Sequence, residues 1–311
     1  MPGKPVRLSV AIASAAVLLG AIACMPEDAG TTAPTSTTAA TAAAAPTDTA
    51  TDTATGGGAG AGGSATGDPT ANSADTVLDV LVTSDDGVGA EGIEAIVQGV
   101  GRLSATIGDV TIEIVAPAAN QSGTGGKTTD GPVNYTKSDA SNGTPVTEVN
   151  GFPADAVNVA LDDLGMHPDL VIAGIHEGQA LGPDVDESGT IGAARAAAQR
   201  GIPALAVSLG LGDTYDYTPA VTLVQNWITK NRASLLSDTK PRQTMVTNLN
   251  VPNCFAGGTV RGLLETDTEP QIPDPALARQ NQDCTSTNKP SDEVGAFNAG
   301  YATLTRLYPR P

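Results

Sequence analysis

The sequence predicts an α/β fold: a Rossmann-like, mostly parallel sheet with helices on both faces, preceded by an N-terminal tether. Three observations carry that prediction. From residue 76 to residue 311, short β-branched runs alternate with segments of helical period, as βαβ units do. Polar clusters flanked by glycine follow three of the strand candidates, at the edge where an open parallel sheet holds its ligands. Residues 25–75, by contrast, are Thr, Ala, Pro, Gly, Ser and a few acids, with almost nothing larger than alanine to bury.

The chain opens with Lys4 and Arg7 before an apolar run, Leu8–Ala23, that ends at Cys24. The run is shorter than the roughly 20 residues that span a bilayer, and its flanks are those of an export signal. Residues 1–24 resemble a bacterial lipoprotein signal, which implies lipidation of Cys24. The other reading is an ordinary cleaved signal in which Cys24 is incidental. Both place the protein outside the cytoplasm, at the cell envelope or surface or secreted. Residues 25–75 then read as a disordered spacer, because burial there cannot offset the entropy of ordering it.

Within residues 76–311 the elements follow in order. Val77–Thr83 is a strand by its β-branched run, and Glu91–Leu103 a helix with Ile93, Ile96, Val97, Val100 and Leu103 on one face. Val110–Ala116 is a strand and Ala154–Leu164 a helix. Leu170–Ala173 is a strand, Thr190–Gln199 an Ala-rich helix and Ala204–Leu209 a strand. A longer helix, Pro219–Leu236, leads to a strand at Met245–Asn250. Right-handed crossovers would align the strand C-termini along one edge.

With 16 Lys and Arg against 34 Asp and Glu, the chain carries a formal charge of −18 and has no basic cluster in sequence. Such a surface repels a phosphodiester backbone, which excludes a nucleic-acid polymer as partner. No Gly-x-Ser-x-Gly elbow is present, which argues against a Ser-His-Asp hydrolase. Once Cys24 is set aside, Cys254 and Cys284 form an even pair. In an oxidising compartment they read as one disulfide, the alternative being two buried thiols.

The chemistry concentrates after the strands. Ser84-Asp85-Asp86-Gly87, Asn120-Gln121-Ser122-Gly123 and Gly174-Ile175-His176-Glu177-Gly178 each set oxygen or nitrogen donors beside a turn-forming glycine. Adjacent aspartates repel unless a cation or hydrogen bonds offset the charge, so Asp85 and Asp86 are metal-ligand candidates. They serve equally as turn and N-cap residues. Ser188-Gly189-Thr190 enters the Ala-rich helix, where exposed N–H groups bind an anion or Ser188 simply caps. His167 reads as a surface loop residue.

In their order and spacing these blocks resemble the SurE family of metal-dependent 5′-nucleotidases and acid phosphatases, over about Val77–Leu307. Thr83-Ser84-Asp85-Asp86-Gly87-Val88 is similar to the family's S-N-D-D-G-V, and Asn120-Gln121-Ser122-Gly123 to its N-x-S-G. Gly151-Phe152-Pro153-Ala154-Asp155 is similar to G-T-P-x-D, and Gly174-Ile175-His176-Glu177-Gly178 to G-I-N-x-G. Ser188-Gly189-Thr190 matches S-G-T, and Asn248-Leu249-Asn250-Val251-Pro252 is similar to N-I-N-V-P.

The resemblance implies that Asp85, Asp86, Ser122 and His176 hold one divalent cation, Mg²⁺ or Mn²⁺ in kind. His176 stands where the family has asparagine, and an imidazole shifts preference toward Mn²⁺, Co²⁺ or Zn²⁺. It also implies that Ser188, Gly189, Thr190 and Asn120 bind the phosphate of a nucleoside monophosphate, with Asp85, Asp86, Ser188 and Thr190 catalytic. Ala180 replaces a second family asparagine, and Glu187 a tyrosine. The alternative is therefore a surface lipoprotein that has lost turnover and serves as a ligand-binding or interaction module. The membrane would be touched only through the N-terminal lipid. In the family, segments corresponding to Pro252–Gly300 and the C-terminal region exchange between subunits. That segment is shorter here, which leaves a homodimer as an open option.

Overall fold

A computed structural model describes residues 77–310 apart from 141, 238, 240, 242 and 273–281. The expected export signal with Cys24, and the expected spacer to residue 75, lie outside the described residues.

The chain runs β1 (Leu78–Thr83), α1 (Glu91–Gly101), α2 (Ser104–Ile107), β2 (Val110–Pro117), β3 (Tyr135–Asp139), β4 (Pro145–Val149) and α3 (Pro153–Asn158). It continues with β5 (Leu170–Glu177), α4 (Gly189–Gln199), β6 (Ala204–Leu209), α5 (Thr218–Leu235), β7 (Val246–Val251), β8 (Leu263–Glu265), α6 (Glu293–Asn298) and β9 (Ala302–Leu307). The strands form one sheet in the order β3-β4-β2-β1-β5-β6-β7-β9-β8. All its pairs are parallel except β3 with β4 and β7 with β9.

Two apolar layers sandwich this sheet. On one side α1 and α5 bury Ile93, Ile96, Val100, Val224 and Ile228 against Val82, Ile172 and Val207. On the other, α3 and α4 bury Val157, Ile191 and Ala194 against Leu81, Val171 and Ala206. Central strands covered on both faces read as continuous apolar runs, which is why β5 and β6 carry no polar alternation. Close approach dictates the small residues on the helices. A Cβ on Gly92 of α1 would fall 1.9 Å from the Ile175 carbonyl oxygen, and one on Gly192 of α4 would fall 2.1 Å from that of Gly125.

Several boundaries differ from the sequence reading. The helix expected to reach Leu164 leaves α geometry after Asn158, and Val159–Asp163 forms a wider turn closed by Leu164 N–H to Val159 C=O. The helix expected to reach Leu103 stops at Gly101, and a separate short turn, α2, follows. β5 runs four residues beyond Ala173 because an extra residue bulges out between Ala173 and His176, after which pairing with β6 resumes. Sequence period missed β3 because all five of its residues are exposed at the sheet edge. Among the described residues, no helix is long and apolar enough to cross a membrane.

Candidate functional site

The strand order reverses direction at β1. From there the chain steps outward through β2 and β4, then returns to lay β5 on the other side of β1. Such a switch point leaves a crevice beyond the strand C-termini, and the polar clusters after β1 and β5 both lie there. A cavity of about 450 Å³ opens at this place. Asp85, Asp86, Asn120, Ser122, His176 and Ser188 are among its lining residues.

Three side chains converge at its floor. His176 Nδ1 lies 2.9 Å from Asp86 Oδ1 and 3.2 Å from Asp85 Oδ1. The bulge in β5 sits immediately before His176 and sets its position. Asp86 Oδ1 also accepts from Ser122 Oγ at 3.1 Å and from Asn120 Nδ2 at 3.3 Å, while Asp86 Oδ2 accepts from the Glu177 N–H at 3.1 Å. All four residues expected to share a cation thus meet at one point. Ligand atoms of Asp85, Asp86 and His176 lie within 4.8 Å of one another.

The electrostatics follow from this packing. Burial alone would lower the His176 pKa, but hydrogen bonds and charge from Asp85 and Asp86 raise it to about 10. Burial pushes the Asp86 carboxyl up, and His176, the Glu177 N–H and Ser122 together hold it below its usual value. Glu177, Asp184 and Glu187 also line the cavity, whereas among the described residues no Lys or Arg does. A phosphate entering this mouth meets net repulsion unless a cation neutralises the floor. The donor set, two carboxylates, a hydroxyl and an imidazole, fits a small divalent ion.

Asp85 is fully buried and is fixed from α4: Thr190 Oγ1 donates to Oδ1 at 2.6 Å and Thr190 N–H to Oδ2 at 3.0 Å. Both donors of Thr190, expected to serve a phosphate, are directed at Asp85 here. Gly189 permits the contact, since a Cβ there would lie 2.8 Å from Asp85 Cβ. Ser188 caps α4, accepting from the Ile191 N–H at 3.2 Å, and still faces the cavity. Asn120 Oδ1 accepts from the Ser122 N–H at 3.0 Å and so shapes the turn that presents Ser122. His167 is exposed and away from the site.

Sequence reasoning missed the supports. The buried side chains of Asn248 and Asn250 clasp the backbone of Ala180: Asn250 Oδ1 accepts its N–H at 2.7 Å, and both amide nitrogens donate to its carbonyl, at 3.0 and 2.9 Å. Their i, i+2 spacing on one face of a buried strand was the available signal. Asp155 accepts from Phe152 N–H and from Thr129 N–H and Oγ1, which ties the glycine-rich loop to α3. Glu177 accepts a short hydrogen bond from the Tyr217 hydroxyl at the entry to α5. Cys254 and Cys284 are joined by a disulfide with their Cα atoms 5.5 Å apart.

The family model "Survival protein SurE" matches residues 80–271, more than half of the chain. The chain belongs to the SurE family. It is 31% identical over 246 residues to the 5′-nucleotidase SurE of Moorella thermoacetica, covering 74% of this chain and 89% of that one. It is 36% identical over 183 residues to the 5′-nucleotidase SurE of Prochlorococcus marinus strain MIT 9303, and 38% over 180 residues to that of Aliivibrio fischeri. Those two matches take in 58% and 57% of this chain but 64% and 63% of the relatives, a little under two thirds of their length. The crystal structure of the SurE protein from Aquifex aeolicus superposes with a TM-score of 0.56 at 25% identity, over 75% of this chain and 94% of that one.

Proposed function

We propose that this SurE protein is a metal-dependent phosphomonoester hydrolase, a 5′(3′)-nucleotidase acting on nucleoside monophosphates outside the cytoplasm. The observation that carries the reading is the meeting of Asp85, Asp86, Ser122 and His176 at the switch point, in a cavity that no Lys or Arg lines among the described residues. These four residues would hold the ion. A divalent cation bound there supplies charge neutralisation and Lewis-acid polarisation of a phosphoryl oxygen.

The chain's own groups do the rest. Thr190 and Gly189 keep Asp85 in place, so no reorganisation is needed when substrate enters. The Ser188 hydroxyl, having accepted from the helix N–H, retains its own proton to donate to a phosphoryl oxygen. Asn120 holds the Ser122 turn, and Asn248 and Asn250 hold the Ala180 backbone that walls the cavity. An imidazole among the donors favours Mn²⁺, Co²⁺ or Zn²⁺ over Mg²⁺. The apolar run Leu8–Ala23 ending at Cys24 supports export with a lipid anchor, and the Cys254–Cys284 disulfide suits an oxidising compartment.

A second reading, a binding module without turnover, has one observation in its favour. His176 Nδ1 already lies against both aspartates, at 2.9 and 3.2 Å, where a cation would sit. Phosphate release separates the two. The full chain is given nucleoside 5′- and 3′-monophosphates in EDTA, Mg²⁺, Mn²⁺ or Zn²⁺. Metal-dependent turnover that disappears in Asp85→Asn establishes the hydrolase; a folded protein inactive with every ion establishes the module.

A further inference from the structure

On the far side of segment 182–188 from the metal centre, two cavities meet. One, of about 600 Å³, lies between α3 and α4; the other, of about 450 Å³, lies between α4 and the end of β9. They share Asp186, Arg195 and Arg310, and neither shares a lining residue with the catalytic cavity. Four guanidinium groups surround this groove: Arg195, Arg200, Arg306 and Arg310. In a chain of charge −18, such a concentration of positive charge stands out.

Two of the arginines are engaged. Arg195 pairs with Asp186 and Arg200 with Asp162, each at 2.8 Å. Among the described residues, neither Arg306 nor Arg310 pairs with a carboxylate. Glu269 on the far wall is turned to the Val294 N–H. Among the described residues, buried Arg195 Nε has no hydrogen-bond partner, and neither has buried Asn158 Oδ1, whose residue lines the same cavity. Buried polar atoms without partners cost free energy unless a ligand or water meets them. Beside them stands Tyr308, 64% exposed, with the Arg310 guanidinium 5.9 Å from its ring centroid.

We infer that this groove is a second, non-catalytic ligand site, built for a nucleoside phosphate. Guanidinium forks match phosphate oxygens, and an exposed tyrosine offers a face on which a base can stack. The cavities fall in the size range of small-ligand sites, roughly 300–1,000 Å³. A nucleoside phosphate joins both features in one molecule.

The test is calorimetric titration of the full chain with ADP, and separately with pyrophosphate, in EDTA so that no cation recruits phosphate to the catalytic cavity. ADP should bind in EDTA, and the Arg306→Ala/Arg310→Ala double variant should weaken it by about tenfold or more. That variant, far from the catalytic groups, should keep the metal-dependent phosphate release of the parent, which also shows that it is folded. ADP should bind more tightly than pyrophosphate, and Tyr308→Ala should erase the difference. The assignment is overturned if ADP does not bind, if the double variant binds it equally well, or if ADP and pyrophosphate bind alike.

Discussion

Thr190 grips Asp85 with both its donors, the hydroxyl at 2.6 Å and the backbone N–H at 3.0 Å, although 105 residues separate them. The two buried residues join the first strand's loop to the N-terminus of α4, so the helix positions one carboxylate of the candidate site.

Thr190→Val keeps the shape and the N–H but removes the hydroxyl donor. The loss of one hydrogen bond to a buried carboxylate should cost about 1–3 kcal/mol of stability. Metal affinity should fall by about tenfold to a hundredfold, as for other groups that orient ligands. Thermal unfolding and calorimetric metal titration measure the two effects, and Thr190→Ser should restore both in large part.

Gly189→Ala sets helix propensity against packing. Alanine favours a helix interior over glycine by about 1 kcal/mol. At this position its Cβ would lie 2.8 Å from Asp85 Cβ, 2.9 Å from Oδ2 and 3.0 Å from Pro153 Cγ, so α4 must withdraw. The expected result is net destabilisation, with phosphate release down by about tenfold or more. A more stable, fully active variant would show that the helix entry has room the structure denies.

His176→Asn exchanges the imidazole for an amide oxygen and should move ion preference toward Mg²⁺. Affinity for Zn²⁺ should drop by about tenfold or more relative to Mg²⁺, read by titration of the chain stripped with EDTA. An unchanged ratio would remove His176 from the ligand set.

Glu293 supplies the pH dependence. It is fully buried at the first turn of α6, where burial raises its carboxyl pKa, and the charge of Glu269 adds to that. The N–H groups of Glu269 and Gly182, each 3.0 Å from Oε2, offset part of the rise. The folded chain therefore holds this proton over a range in which the unfolded chain releases it. More protons bound in the folded state means that stability falls as pH rises from the usual glutamate value through the raised one. Glu293→Gln should flatten that slope in denaturant titrations across the acidic range. A slope that persists unchanged would assign it to another group.

Much of this protein is legible from sequence because much of it is local. The runs that became β1, β2, β5, β6 and β7 announce themselves by β-branched residues covered on both faces. The helices α1, α4 and α5 announce themselves by apolar spacing, and the aspartate pair by its place after a strand. The edge strand β3 gave no such sign, since nothing covers it and no period is imposed. The wider turn after α3 and the bulge before His176 were also silent, because each is a backbone adjustment to neighbouring layers.

The sequence alone determined the succession of strands and helices, the donors at the strand ends and the acidic character of the chain. Only the tertiary structure decided which donors share a point and which serve as scaffolding. Asp86 and His176, 90 residues apart, meet because the sheet reverses between β1 and β5. Thr190 meets Asp85 because close packing at Gly189 brings it within reach. Four arginines, on and just beyond α4 and the last strand, gather around one groove that no spacing in the chain could reveal. Period and turn chemistry act between near neighbours in sequence, whereas contacts across the sheet depend on the whole fold closing around them.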